Sequence, residues 1–230
     1  MKRYSMVMAL LLVCCLAFSG ILARQPSYHS VWMESPRKIV LDAGHGGIDG
    51  GAQGASGLLE KDVNLSVVQK CELLCALLGI QTTLTRNSDA SIDDGTGATI
   101  AARKADDIRR RVSIANSSSG ILLSIHMNSF TDPRYWGAQC FYSKNHPDGS
   151  ILAECMQNTL HTLNLQNNRT AKVAEDSIYL MKHVQVPALI VECGFLSNPE
   201  EELQLADDGY RKQLAMAICT GALMYYTVQR

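Results

Sequence analysis

The sequence predicts an α/β fold: a single-domain layered fold with a central, mostly parallel or mixed sheet flanked by helices. Three observations predict it. Short, continuously apolar runs at residues 39–41, 121–125 and 188–191 alternate with longer stretches whose apolar residues recur at helical spacing. Strands that are apolar without alternation belong to a sheet covered on both faces. A chain of 230 residues, 47% of them apolar, supplies one core of ordinary size.

The elements follow in order. Lys2 and Arg3 precede an apolar run at 6–16 that continues more loosely to Ala23. Residues 1–23 therefore read as a secretory signal or an N-terminal membrane anchor, with small residues suited to cleavage at Ala17-Phe18-Ser19. The polar stretch 24–36, with Pro26 and Pro36, reads as a linker, and the folded domain spans 37–228. Residues 38–42 form the first strand, and 44–57 a glycine-rich loop. From Glu60 a helix carries Val63, Val67, Cys71, Leu74, Cys75 and Leu78 on its inner side, and Gly79 closes it. A second strand is expected at 82–85, polar turns at 88–99, and a helix at 100–116 with Ile108, Val112 and Ala115 inward. Buried strands follow at 121–125 and 138–142. The turn Pro147-Asp148-Gly149 precedes a helix at 150–163. A short strand is expected at 178–181 and a buried one at 188–191. Helices at 199–205 and 210–226 close the domain, the first capped by Asn198 ahead of Pro199.

Charge and cysteine usage exclude several function classes. A net charge of -1 provides no global field to recruit nucleic acid. The densest basic stretch, Arg103-Lys104 with Arg109-Arg110-Arg111, is interrupted by Asp106-Asp107 and reads as a solvated helix face. Of eight cysteines, Cys14 and Cys15 fall in the N-terminal segment. Cys71, Cys75, Cys140, Cys155, Cys193 and Cys219 sit inside apolar patterns and read as small buried hydrophobes, although export permits disulfides.

Four residues at element ends carry the chemistry. His45 lies in Asp42-Ala43-Gly44-His45-Gly46-Gly47, where glycines let the backbone turn sharply near a ligand. A nucleotide loop is excluded because Asp49 stands where a third glycine is required. His126 ends an apolar strand, and the carboxyl ends of buried strands are where α/β folds place their sites. Asn128 and Ser129 beside it are placed to orient ligands. Glu60 opens its helix, where the dipole also favours a carboxylate. Glu192 follows four apolar residues, so it needs a metal, a cation or a proton. Two histidines and a carboxylate make a hydrolytic zinc site with an open fourth position, and a second carboxylate can serve as general base. A cysteine nucleophile at Cys193 is the competing reading, although a continuing strand points it away from Glu192. No spacing rule joins these residues; only a fold does.

The segments around these residues resemble the zinc-dependent N-acetylmuramoyl-L-alanine amidases. They are Lys38-Ile39-Val40-Leu41-Asp42-Ala43-Gly44-His45-Gly46-Gly47, Leu59-Glu60-Lys61-Asp62-Val63-Asn64-Leu65, Thr85-Arg86, Arg111-Val112-Ser113-Ile114-Ala115-Asn116, Ser124-Ile125-His126-Met127-Asn128-Ser129 and Pro187-Ala188-Leu189-Ile190-Val191-Glu192-Cys193-Gly194-Phe195-Leu196-Ser197-Asn198. The resemblance implies that residues 37–228 are an amidase catalytic domain. It implies one Zn2+ per chain on His45, Glu60 and His126, with Glu192 catalytic. The bond cut would be the amide between N-acetylmuramic acid and L-alanine of peptidoglycan stem peptides. Arg103-Lys104-Ala105-Asp106-Asp107-Ile108-Arg109-Arg110-Arg111-Val112 and Glu200-Glu201-Glu202-Leu203 resemble the germination-specific members, which act on spore cortex on the way to muramic-δ-lactam. The stretch 165–179 is short for the helix that plugs the zinc in some division amidases. An exported enzyme follows, meeting membrane only through its N-terminal segment, with room for a regulatory or stabilising protein partner. The alternatives are a zinc exopeptidase or deacetylase on an allied fold, or a non-catalytic wall-binding activator.

Overall fold

A computed structural model of the protein describes residues 37–229. The signal or anchor expected at 1–23, the linker at 24–36, and Cys14 and Cys15 lie outside the described residues. Six strands form one sheet: β1 (Lys38–Ala43), β2 (Gln81–Leu84), β3 (Ile121–Asn128), β4 (Gln139–Tyr142), β5 (Lys172–Val173) and β6 (Ala188–Phe195), in the order β2-β1-β3-β6-β4-β5. Every neighbouring pair is parallel except β4 with β6. The expected mixed sheet is therefore present, with β1, β3 and β6 at its centre.

Six helices among the described residues cover it: α1 (Glu60–Leu77), α2 (Ile100–Ser117), α3 (Gly149–His161), α4 (Tyr179–His183), α5 (Pro199–Ala206) and α6 (Asp208–Val228), α5 and α6 meeting at Asp207.

Strand alternation divides the core between the two faces of the sheet. Ile39, Leu41, Ile121, Leu123, Ile125, Leu189 and Val191 pack with α1, α3 and α6 on one side. Val40, Leu122, Ala188 and Ile190 pack on the other side with Ala115 of α2 and with Leu180 and Met181 of α4. Cys71, Cys75, Cys140, Cys155, Cys193 and Cys219 are all buried with free thiols. Asn198 caps α5, its Oδ1 accepting from the backbone N–H of Glu200 at 3.0 Å and of Glu201 at 3.1 Å. No helix among the described residues is long and apolar enough to cross a membrane.

Two expectations are corrected. The strand expected at 178–181 is instead the start of α4: the Lys182 N–H donates to the Ile178 carbonyl at 3.0 Å. Leu180 and Met181 are adjacent and both buried, a pattern that a helix satisfies and an alternating strand does not. The basic stretch of α2 is also not wholly a solvated face. Arg111 is 2% exposed and points under the sheet's carboxyl edge, one turn from the buried Ala115. Arg109 and Arg110 remain exposed, as expected. The stretch 165–179 carries β5 and turns before α4 begins.

Candidate metal centre

The loop after β1 is shaped by its backbone. His45 has φ 61°, the left-handed region that side chains rarely enter, and Gly46 and Gly47 follow at φ 134° and 55°. Two buried arginines hold this path. Arg86 donates from Nε to the Ala43 carbonyl at 2.9 Å and from Nη2 to the Gly44 and Lys61 carbonyls at 3.0 and 2.8 Å. Arg111 donates to the Ala43 and His45 carbonyls, both at 2.8 Å, and pairs with Asp42 at 2.5 Å. Asp42 also accepts from Ser124 Oγ at 2.5 Å and Thr85 Oγ1 at 2.6 Å. Burial pushes the Asp42 carboxyl up, but Arg111 and these hydroxyls outweigh it and hold the carboxyl below the usual range. A second loop segment is tied to α5, where Glu202 accepts from the backbone N–H of Ala55 at 3.1 Å and of Ser56 at 2.8 Å.

These supports bring together three of the residues singled out in the sequence. Glu60 Oε1 lies 3.1 Å from His45 Nε2 and 2.9 Å from His126 Nδ1. One ligand atom from each of the three residues falls within 4.8 Å of the others. The imidazoles meet edge to face, with centroids 5.0 Å apart. Glu60 is itself fixed: Oε2 accepts from the Ala52 N–H at 2.8 Å and Oε1 from the Met127 N–H at 3.2 Å. Asp49 lies 2.9 Å from His45 Nδ1, which leaves Nε2 facing the centre. Gly44 is required by the close approach of His126, whose ring occupies the space a Cβ would take.

Glu192 completes the group. It is the register partner of His126 across β3 and β6, and its Oε2 is buried with no hydrogen-bond partner. Burial pushes its carboxyl up to about 7. Burial lowers His45, but hydrogen bonds with Glu60 and Asp49 prevail and raise it to about 9. Burial opposes ionisation of Glu60, yet the two imidazoles hold its carboxyl well below the ordinary range. Nitrogen, oxygen and nitrogen donors converging beside an orphaned carboxylate oxygen suit a divalent cation of zinc's chemistry.

The remaining expectations divide. Cys193 is buried in the apolar core with Val191, on the face away from Glu192, and its thiol is pushed far up by burial. It has none of the marks of a nucleophile. Asn128 Oδ1 accepts from the Ser129 N–H at 2.8 Å. Sequence reasoning missed Asp49, and it missed the clamp formed by Arg86 and Arg111. Arg111 was detectable: it falls three residues after Ile108 and four before Ala115, on the helix's apolar stripe.

Comparisons with known proteins agree with this geometry. Residues 39–223 match the family described as N-acetylmuramoyl-L-alanine amidase. The chain is 38% identical over 194 residues to a germination-specific N-acetylmuramoyl-L-alanine amidase of Bacillus subtilis, covering 84% of this chain and 81% of that protein. The structure of the CwlD amidase from Clostridioides difficile, in complex with the GerS lipoprotein, superposes with a TM-score of 0.79 at 37% identity, covering 84% of this chain and 99% of that one. An N-acetylmuramoyl-L-alanine amidase from Clostridium difficile 630 superposes with a TM-score of 0.74 at 27% identity, covering 86% and 100%. With the fold, the matched span and the relatives in agreement, this chain belongs to the N-acetylmuramoyl-L-alanine amidase family.

Proposed function

We propose that this amidase holds one zinc ion on His45, Glu60 and His126, uses Glu192 as its general base, and acts on spore-cortex peptidoglycan. The observation that carries the reading is the convergence of three donor side chains beside the orphaned Oε2 of Glu192. The bond broken is the amide between N-acetylmuramic acid and the L-alanine of a stem peptide.

Zinc bound there supplies Lewis acidity, which acidifies a water and polarises the scissile carbonyl. Glu192 takes a proton from the attacking water at Oε2 and delivers it to the alanine nitrogen as the carbon–nitrogen bond breaks. Asp49 fixes the tautomer of His45. Arg86 and Arg111 keep the His45 loop in the one path that aims the imidazole inward.

The likeness to a germination-specific amidase supports the cortex substrate and action outside the cytoplasm. The apolar N-terminal run supports export, with residues 37–228 as the catalytic domain. The relative solved with a lipoprotein supports a protein partner for this chain as well. The test is mass spectrometry of purified peptidoglycan after digestion, with and without zinc, beside Glu192→Ala. Free stem peptides that require both zinc and Glu192 are expected. Peptide release by fully metal-stripped protein would overturn the zinc assignment.

A further inference from the structure

An aromatic shelf stands beyond the carboxyl end of β3, against Phe195 at the end of β6. Phe130 lies two residues beyond β3 and is 52% exposed; Tyr135 is 45% exposed. Their ring centroids are 4.6 Å apart, and Tyr135 continues to the buried Phe195 at 6.3 Å. The Arg169 guanidinium lies 4.7 Å over Phe195 and 5.9 Å over Tyr135. Next to the rings runs an open groove of about 540 Å³, lined by Trp136, Asn167 and Asn168 as well as Tyr135 and Arg169.

The shelf is built rather than incidental. The Phe130 N–H donates to Ser197 Oγ at 3.0 Å, and Asn198 Nδ2 donates to the Pro133 carbonyl at 2.9 Å. Glu201 accepts from the Gly137 N–H at 3.0 Å and the Phe195 N–H at 2.8 Å, joining both sides of the groove. Exposed rings on a loop pinned at three points, Phe130, Pro133 and Gly137, are preorganised for a ligand. The shelf is also continuous with the reacting centre. Phe195 pairs with Asn128 in the same ladder in which Glu192 pairs with His126. Gln139, which accepts from Arg169 at 3.0 Å, is the register partner of Glu192. At a strand rise of about 3.3 Å per residue, the shelf begins roughly 10 Å beyond Glu192.

We propose that this shelf binds the glycan strand of the substrate, the sugars flanking the muramic acid whose peptide is removed; the proposal rests on the amidase reading. Pyranose rings present apolar C–H faces and hydroxyl edges. Aromatic faces match the first, and the exposed amide of Asn168 matches the second. Charge assigns the two arms of the substrate. The glycan is uncharged apart from its acyl attachment points, and the shelf's exposed ion pair, Arg134 with Asp132 at 2.7 Å, is self-neutralised. The stem peptide is charged, and the cavity on the His45 side is lined by ion pairs, Arg103 with Asp93 at 2.8 Å and Lys104 with Asp49 at 2.7 Å, rather than by aromatic faces.

The test uses peptide-free glycan strands of four or more sugars, with the fluorescence of Trp136 as readout in a Trp32→Phe background. A saturable change is expected, with affinity falling about tenfold in Phe130→Ala/Tyr135→Ala and kept in Tyr135→Phe. KM for peptide-bearing tetrasaccharides should rise by the same factor, while kcat, and KM for a single muramoyl peptide, stay put. Circular dichroism checks folding, and Asn168→Ala on the exposed rim replaces the double variant if that fails to fold. Equal glycan binding by variant and unaltered protein overturns the proposal. So does an equal loss of KM on short and long substrates, or a shelf that retains a second protein and no glycan. Failure of the amidase reading is distinguishable, because then no substrate releases peptide while the glycan titration still reports on the shelf.

Discussion

Glu192 and His126 face each other as register partners across the parallel ladder of β3 and β6. The proposed base and one proposed ligand are thus spaced by backbone hydrogen bonding, the stiffest ruler a protein has. The other two donors reach this pair from a loop and a helix start, so their aim depends on the clamps around them.

Replacing Glu192 by Gln should lower kcat by about 10²–10⁴-fold while leaving metal content unchanged. The base must be ionised, so activity falls as pH drops through its pKa. Burial sets that value at about 7 in the metal-free protein, and a bound dication lowers it. A pH–rate profile should therefore show an acid limb at or below pH 7 that the Gln variant lacks. An unchanged limb in the variant would remove Glu192 from the role.

Metal binding should release protons near neutral pH. His45 is raised to about 9 and is protonated there in the metal-free protein, so a cation must displace that proton. Affinity should increase from pH 6 to pH 9. Calorimetry in buffers of different ionisation enthalpy measures the protons released. His45→Ala and His126→Ala should each abolish stoichiometric binding.

Arg111→Ala should destabilise the fold by about 3–5 kcal/mol, because it leaves Asp42 buried and unpaired. Asp42 is held below its ordinary pKa, so its stabilising share is present above about pH 4 and lost as pH falls through the folded value. Urea unfolding of Arg111→Met with Asp42→Asn should recover part of the loss.

Gly44→Ala should cost most of the metal affinity, since the new methyl group falls on the His126 ring. Metal content by atomic spectroscopy checks it. Cys193→Ala should by contrast keep activity within about twofold, and thiol reagents should leave the folded enzyme active, because this thiol is buried on the far face.

The layers of the fold were legible in the sequence because buried strands and amphipathic helices leave strong periodic marks. The short strand expected at 178–181 failed because four mostly apolar residues fit either a strand or one helical turn. His45, Glu60, His126 and Glu192 could each be isolated as residues at element ends. Their meeting could not be derived from spacing, since it depends on strand order, and the resemblance supplied it. Arg111 was hidden by its charged neighbours: a composition-level view of five basic residues ignores which one lies on the apolar stripe. Asp49 gave no signal, because a lone aspartate in a glycine loop is ordinary turn chemistry.

Residues 45 and 192 are separated by most of the domain, and each reaches its place only when the central strands have docked. A fragment that ends before β6 therefore lacks Glu192 and with it the complete four-residue group. The wall-cutting site is whole only when the last strand of the chain lies beside β3 in the middle of the sheet.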